Sequence, residues 1–204
     1  HAFSHAGQSC ISIQRILLHE DIADRFIERL KTNVESLKVG DPMDPDTDVG
    51  PLITRGDRDR VKEWVDEAVA GGAELVTGGE LVDEDRCLAP TLLRHPSREA
   101  KVWCEEIFGP VATIDTFSDF DEALKMANDS KFGLQAGVFT RDIGRGLKAG
   151  NTLEFGGVLI NEVPTFRADQ QPYGGVKDSG NTREGPASSV YELTEERMVT
   201  FQGG

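Results

Sequence analysis

Residues 14–37 read QRILLHEDIADRFIERLKTNVESL, and the hydrophobic period changes inside this single stretch. Gln14 to His19 holds a short apolar run that suits a buried strand, whereas Ile22, Phe26, Leu30, Val34 and Leu37 recur at helical spacing with Glu and Arg between them. A strand running directly into an amphipathic helix is the unit of α/β folds, and the alternation continues downstream. Val61, Trp64, Val65, Ala68 and Val69 predict a second helix closed by Gly71-Gly72, followed by short strands at Ala73–Thr77 and Leu88–Leu93. Pro110–Asp115 reads as a strand, and Asp119 is placed to cap a helix carrying Phe120, Ala123, Leu124 and Ala127. Beyond it come a strand at Ala136–Thr140, a helix at Arg141–Ala149 and an apolar strand at Gly157–Asn161 suited to the centre of a sheet. The expected class is α/β, a mostly parallel open twisted sheet with helices on both faces. Ligands in such sheets bind beyond the carboxyl ends of the strands.

Composition narrows what the chain can be. At 204 residues it is short enough for one core, and 38% hydrophobic residues with ten Phe and two Trp exclude disorder. The 36 acidic residues against 22 Lys and Arg leave a formal charge of −14, which disfavours nucleic acid and anionic membrane surfaces as partners. The acid is spread over Asp41–Asp48, Asp83–Asp85 and the helix faces, which reads as solvated surface charge. Three cysteines, Cys10, Cys87 and Cys104, lack both CxxC and zinc spacing, so neither a disulfide framework nor a metal site is expected, and the compartment is expected to be reducing. No run of 18 apolar residues and no signal peptide is visible, and the missing initiator Met suggests a cut through a longer chain.

Gly144, Gly146 and Gly150 have the wrong spacing for a dinucleotide fingerprint and read as a helix cap. The four histidines, His1, His5, His19 and His95, show no acidic partner at motif distance and suit solvent or strand-end roles. Glu162 to Gly185, rich in Pro and Gly, is too long for an ordinary connection and is of the kind that carries function. A short helix near Ser188–Leu193 and a strand at Arg197–Phe201 close the chain. Cys10 follows Gly7-Gln8-Ser9, a tight turn that exposes backbone N–H groups, and such a setting can lower a thiol pKa and hold an oxyanion. By composition alone a lone cysteine is more often a small buried hydrophobe.

Several motifs in order bear on that choice. They are His5-Ala6-Gly7-Gln8-Ser9-Cys10 with Arg15 and His19-Glu20, then Gly50-Pro51-Leu52-Ile53, then Glu105-Glu106-Ile107-Phe108-Gly109-Pro110-Val111, then Gly133 to Thr140 (GLQAGVFT) and Asn161. Pro172-Tyr173-Gly174-Gly175-Val176-Lys177-Asp178-Ser179-Gly180 and Arg183-Glu184-Gly185 complete the set. Taken together, the chain resembles the catalytic domain of the aldehyde dehydrogenase superfamily over essentially its whole length.

The resemblance implies that Cys10, as thiolate, attacks an aldehyde to give a thiohemiacetal, which passes hydride to NAD or NADP and leaves a thioester for hydrolysis to a carboxylic acid. It implies that the Cys10 N–H helps hold the oxyanion, that Glu106 binds the nicotinamide ribose, and that Phe108 and Leu134 pack at the ring. Asn161 would brace the loop carrying the nucleophile, and Phe166 would line the aldehyde pocket. Arg167 beside it is suited to an anionic tail on the substrate; a solvated loop cation is an equally ready reading. Thr182 stands where the family has a second glycine, and Glu154-Phe155-Gly156-Gly157 imitates the motif of the general base but falls on the wrong side of Cys10. The base, the oxyanion Asn and the dinucleotide domain would precede His1, so little turnover is expected of these 204 residues alone. Residues 1–195 would form the catalytic domain, and 196–204 an oligomerisation strand and tail of a cytoplasmic homo-oligomer. A binding or regulatory module that keeps the fold without catalysis is the alternative.

Overall fold

The structure is a computed structural model describing residues 1–204. After a short turn at Ser4–Gly7, the chain forms β1 (Arg15–His19), α1 (Glu20–Glu35), α2 (Arg55–Ala70), β2 (Glu74–Thr77), β3 (Leu81–Val82), β4 (Cys87–Leu88) and β5 (Thr91–Arg94). It continues through α3 (Lys101–Cys104), β6 (Val111–Phe117), α4 (Phe120–Asn128), β7 (Phe132–Gly133) and β8 (Gln135–Val138). The last elements are α5 (Ile143–Thr152), β9 (Gly157–Ile160), β10 (Val176–Lys177) and α6 (Pro186–Leu193).

The main sheet has the order β1-β6-β5-β2, with β6 parallel to both of its neighbours and β2 antiparallel to β5. Its centre is β6, where Val111 to Asp115 are all buried because both faces of the strand are covered. Helix α1 packs on β1, β2 and β6, and α2 on β4 and α3. Leu18, Ile27, Val61, Val65, Leu92, Leu93 and Ile114 belong to the one large core so formed. A second parallel pair, β8 and β9, packs with α4 and α5 around Leu124, Ala149 and Leu153. The mostly parallel α/β class expected from the sequence is therefore present, with β2 antiparallel at one edge of the main sheet.

Several local readings change. Gly157–Asn161 is not a sheet centre; β9 lies in the two-stranded pair with β8 and leaves Ile160 exposed. Leu88–Leu93 is not one strand, because Ala89-Pro90 separates β4 from β5 and Pro90 has no N–H to give a ladder. The buried face of α1 runs through Ala23, Ile27 and Val34, which leaves Ile22 and Phe26 exposed. Gly144 to Gly150 are not a cap; they lie inside α5, whose start is capped by Asp142 accepting from Gly144 N at 2.7 Å. Arg197–Phe201 forms no strand, since no neighbouring strand meets it, and everything from Val190 onward is exposed. His95 does have an acidic partner, for its Nδ1 lies 2.7 Å from Asp115 Oδ1, while His19 ends β1 and its ring accepts from Asp21 N.

Candidate active site

His5, Ala6 and Gly7 take left-handed backbone, with φ of 53°, 55° and 71°, and wind the chain tightly just before Cys10. Gly7 is required there on two counts, since a side chain is strained at that φ and an added Cβ would overlap the Gly109 carbonyl. The nucleophile turn thus packs backbone to backbone on the segment Glu105–Val111. Two glutamines fix the arrangement. Gln8 Oε1 accepts from Ile53 N at 2.9 Å, tying in Gly50–Ile53, and Gln14 Oε1 accepts from Ile107 N at 3.0 Å while its Nε2 donates to Glu105 O. Arg15 closes α4 by donating to the carbonyls of Ala127 and Asp129, each at 3.2 Å.

Cys10 is exposed, its N–H donates to no group of the chain, and its Sγ lies 3.1 Å from the Tyr173 hydroxyl. Tyr173 comes from the long loop and is fixed by a two-way main-chain bridge with Glu184, Tyr173 N to Glu184 O at 2.9 Å and Glu184 N to Tyr173 O at 2.6 Å. The Arg167 guanidinium stacks 4.3 Å over the Tyr173 ring and pairs with the Glu184 carboxylate at 3.1 Å. Burial, and then the neighbouring thiol, push the Tyr173 hydroxyl well above the usual phenol range. The loop itself is anchored by glycines: a Cβ on Gly156 would overlap the Gly174 carbonyl, and Ser179 Oγ accepts from Gly133 N at 3.0 Å. Thr182 does not have positive φ, so a residue other than glycine stands there without left-handed strain.

Glu106 is exposed and its carboxylate has neither an ion pair nor a hydrogen bond within the chain. Its two oxygens are free acceptors, the property a ribose diol needs. Phe108, two residues on, is 41% exposed and held at φ 51°, a left-handed conformation costly for a bulky residue. Leu134 is half-buried between β7 and β8. These residues fit a nicotinamide nucleotide. A cavity of about 380 Å³ is lined by Arg98, Trp103, Cys104, Glu105 and Lys131 and not by Glu106, Phe108 or Leu134, and its cations are already paired, Arg98 with Asp115 and Lys131 with Glu105.

Asn161 is held at φ 60° and its Oδ1 accepts from Thr140 N at 2.8 Å; it braces the end of β8 and makes no hydrogen bond to the Cys10 turn. Phe166 is 43% exposed next to Arg167. Glu154 pairs with Lys177 at 2.8 Å, a structural role. Sequence reasoning passed over Tyr173, Glu184 and the two glutamines. The available signal was a hydroxyl-bearing aromatic immediately before Gly174-Gly175.

Residues 1–199 match the model of the aldehyde dehydrogenase family. The chain is 44% identical over 200 residues to the 3-sulfolactaldehyde dehydrogenase of Priestia aryabhattai, covering 98% of this chain and 42% of that protein. It superposes with a TM-score of 0.92 on aldehyde dehydrogenase 21 from Physcomitrella patens in complex with the reaction product succinate, at 41% identity over 95% of this chain and 40% of that one. With glyceraldehyde-3-phosphate dehydrogenase from Methanocaldococcus jannaschii, complexed with NADP, the TM-score is 0.87 at 40% identity, covering 93% of this chain and 41% of that one. The chain belongs to the aldehyde dehydrogenase family. It spans 42% of the length of the Priestia relative.

Proposed function

We propose that this chain carries the nucleophile and the substrate face of an NAD- or NADP-dependent aldehyde dehydrogenase, with residues 1–195 as catalytic domain. The observation that carries the reading is the packing of Gly7 on Gly109, which brings the turn bearing the exposed Cys10 onto the segment bearing Glu106 and Phe108. As thiolate, Cys10 attacks the carbonyl carbon: a sulfur–carbon bond forms and the carbonyl π pair moves onto oxygen. The unengaged Cys10 N–H is available to hold that oxygen. Nicotinamide supplies the hydride acceptor when bound. Glu106 would hold its ribose hydroxyls, with Phe108 and Leu134 at the ring. The acyl group left on Cys10 is a thioester, and its hydrolysis frees the acid and restores the thiol. Asn161 is assigned structural support, through its hydrogen bond to Thr140 N beyond β8. In the full-length protein, Cys10→Ser is expected to lower aldehyde oxidation on the order of 10⁴-fold or more. Retained turnover in that variant sinks the assignment, and robust oxidation by the 204 residues alone would contradict the expected need for the rest of the protein.

Phe166 and Arg167 are assigned to the substrate, with Arg167 anchoring an anionic tail. The Priestia relative is named for a sulfonated aldehyde and the Physcomitrella structure holds a dicarboxylate, both anionic. Arg167 keeps donors beyond the one on Glu184. Arg167→Ala should raise KM about tenfold or more for a carboxylated aldehyde and much less for a neutral one of equal length; equal losses for both would defeat the anchor. Three free cysteines fit a cytoplasmic site, and no helix is long and apolar enough to cross a membrane. Recovery from a secreted or membrane fraction would count against that placement.

A further inference from the structure

The Cys10 thiol has one polar side-chain partner, the Tyr173 hydroxyl, and that hydroxyl is held in place from several directions. The backbone of Tyr173 is bridged twice to Glu184, Arg167 lies over the ring, and the Glu184 carboxylate holds Arg167 in turn. Gly174, the next residue, packs so closely on the Thr182 carbonyl that a Cβ would overlap it, which fixes the chain direction at Tyr173. An aromatic ring in this position would fill space without its oxygen, yet the oxygen is 3.1 Å from sulfur.

We infer that Tyr173 is a positioning residue for the nucleophile, its hydroxyl donating a hydrogen bond to the Cys10 thiolate. A thiol ordinarily loses its proton before a phenol does, at about pH 8.5 against about 10. The proton shared by the pair therefore sits on the Tyr173 oxygen once one has left, and the O–H faces a negative sulfur. Burial and the adjacent sulfur hold that phenol proton still more firmly. A hydrogen bond to the charged form favours it, so Tyr173 enlarges the thiolate population and keeps the sulfur in one orientation. The charged groups at the Tyr173 ring are Arg167, which favours loss of the phenol proton, and Glu184, which opposes it; they are paired with each other at 3.1 Å. The inference rests on Cys10 being the nucleophile, but its test reads the thiol itself.

The test compares the full-length protein with Tyr173→Phe, which keeps the ring under Arg167 and removes one oxygen. Iodoacetamide labelling of Cys10 is followed against pH by peptide mass spectrometry, so that Cys87 and Cys104 do not contribute. The half-maximal pH should rise by about one unit in the variant, with labelling at pH 7 slowed about tenfold and the deficit gone above roughly pH 10. Aldehyde oxidation should show the same pH-dependent deficit. An unchanged midpoint, or a loss of rate equal at every pH, overturns the inference. So does a lowered midpoint, the result expected if the thiol donates to the phenol oxygen instead. A raised midpoint together with an active Cys10→Ser protein would keep the hydrogen bond and remove the nucleophile.

Discussion

Gly7 decides the geometry of the site more than any other single residue. It ends a run of three left-handed residues and touches Gly109 with backbone alone, so the turn bearing Cys10 and the strand approach bearing Glu106 meet at a distance no side chain permits. Gly7→Ala combines left-handed strain with a clash against main chain, and is expected to destabilise the chain by about 2–4 kcal/mol. A urea unfolding midpoint measures this, and a midpoint within error of the parent would show that the turn can relax elsewhere. The motif around Cys10 was legible because it is local. Tyr173 was not, because its hydroxyl is aimed by Glu184 eleven residues on and by Arg167 six residues back, a convergence that no spacing rule encodes. The position of Arg167 was legible, but its sequence pattern did not reveal that its charge already serves Glu184.

Among the elements, α5 shows how a helix survives poor propensity. Gly144, Gly146 and Gly150 all lie within its ten residues, each less helix-favouring than alanine by up to about 1 kcal/mol. The Asp142 cap and the packing of Ala149 and Leu153 on Leu124 offset that weakness. The glycines are not equivalent. A Cβ at Gly146 would sit 3.3 Å from Ile160 Cγ2, tight against β9, whereas Gly150 has open space. Gly150→Ala should therefore stabilise by roughly 0.5–1 kcal/mol, and Asp142→Ala should destabilise by about 1 kcal/mol. Thermal unfolding checks both; a destabilising Gly150→Ala would mean that the helix is constrained from outside. The same element shows the reach of sequence patterns. Apart from Arg197–Phe201, the helices and strands read from apolar period kept their type, and Asp119 caps α4 as expected, accepting from Asp121 N at 2.9 Å. What period could not supply was neighbours. The apolar runs of β6 and β9 look alike, yet only β6 has a strand on each side. The buried face of α1 turned from Ile22 and Phe26 to Ala23 and Ile27, a choice between adjacent apolar rows that only packing against the sheet could make.

Across the whole molecule, apolar side chains are concentrated on the surface toward the C-terminus. Val190, Tyr191 and Leu193 of α6, then Met198, Val199 and Phe201, are exposed, Phe201 at 91%. Scattered surface hydrophobes are ordinary, but a short β-branched and aromatic segment with unpaired backbone is an edge that a partner strand would cover. The charge of −14 opposes indiscriminate association, so a partner would have to match the segment's backbone as well as its side chains. We propose that residues 196–204 form a contact between subunits of the full-length protein. Since this segment makes no hydrogen bond to the rest of the chain, deleting it should leave the Tm of the 204 residues within about 2 °C. In the full-length protein the same deletion should reduce the oligomer to smaller species in sedimentation velocity. A full-length protein that keeps its mass without residues 196–204 would overturn the proposal.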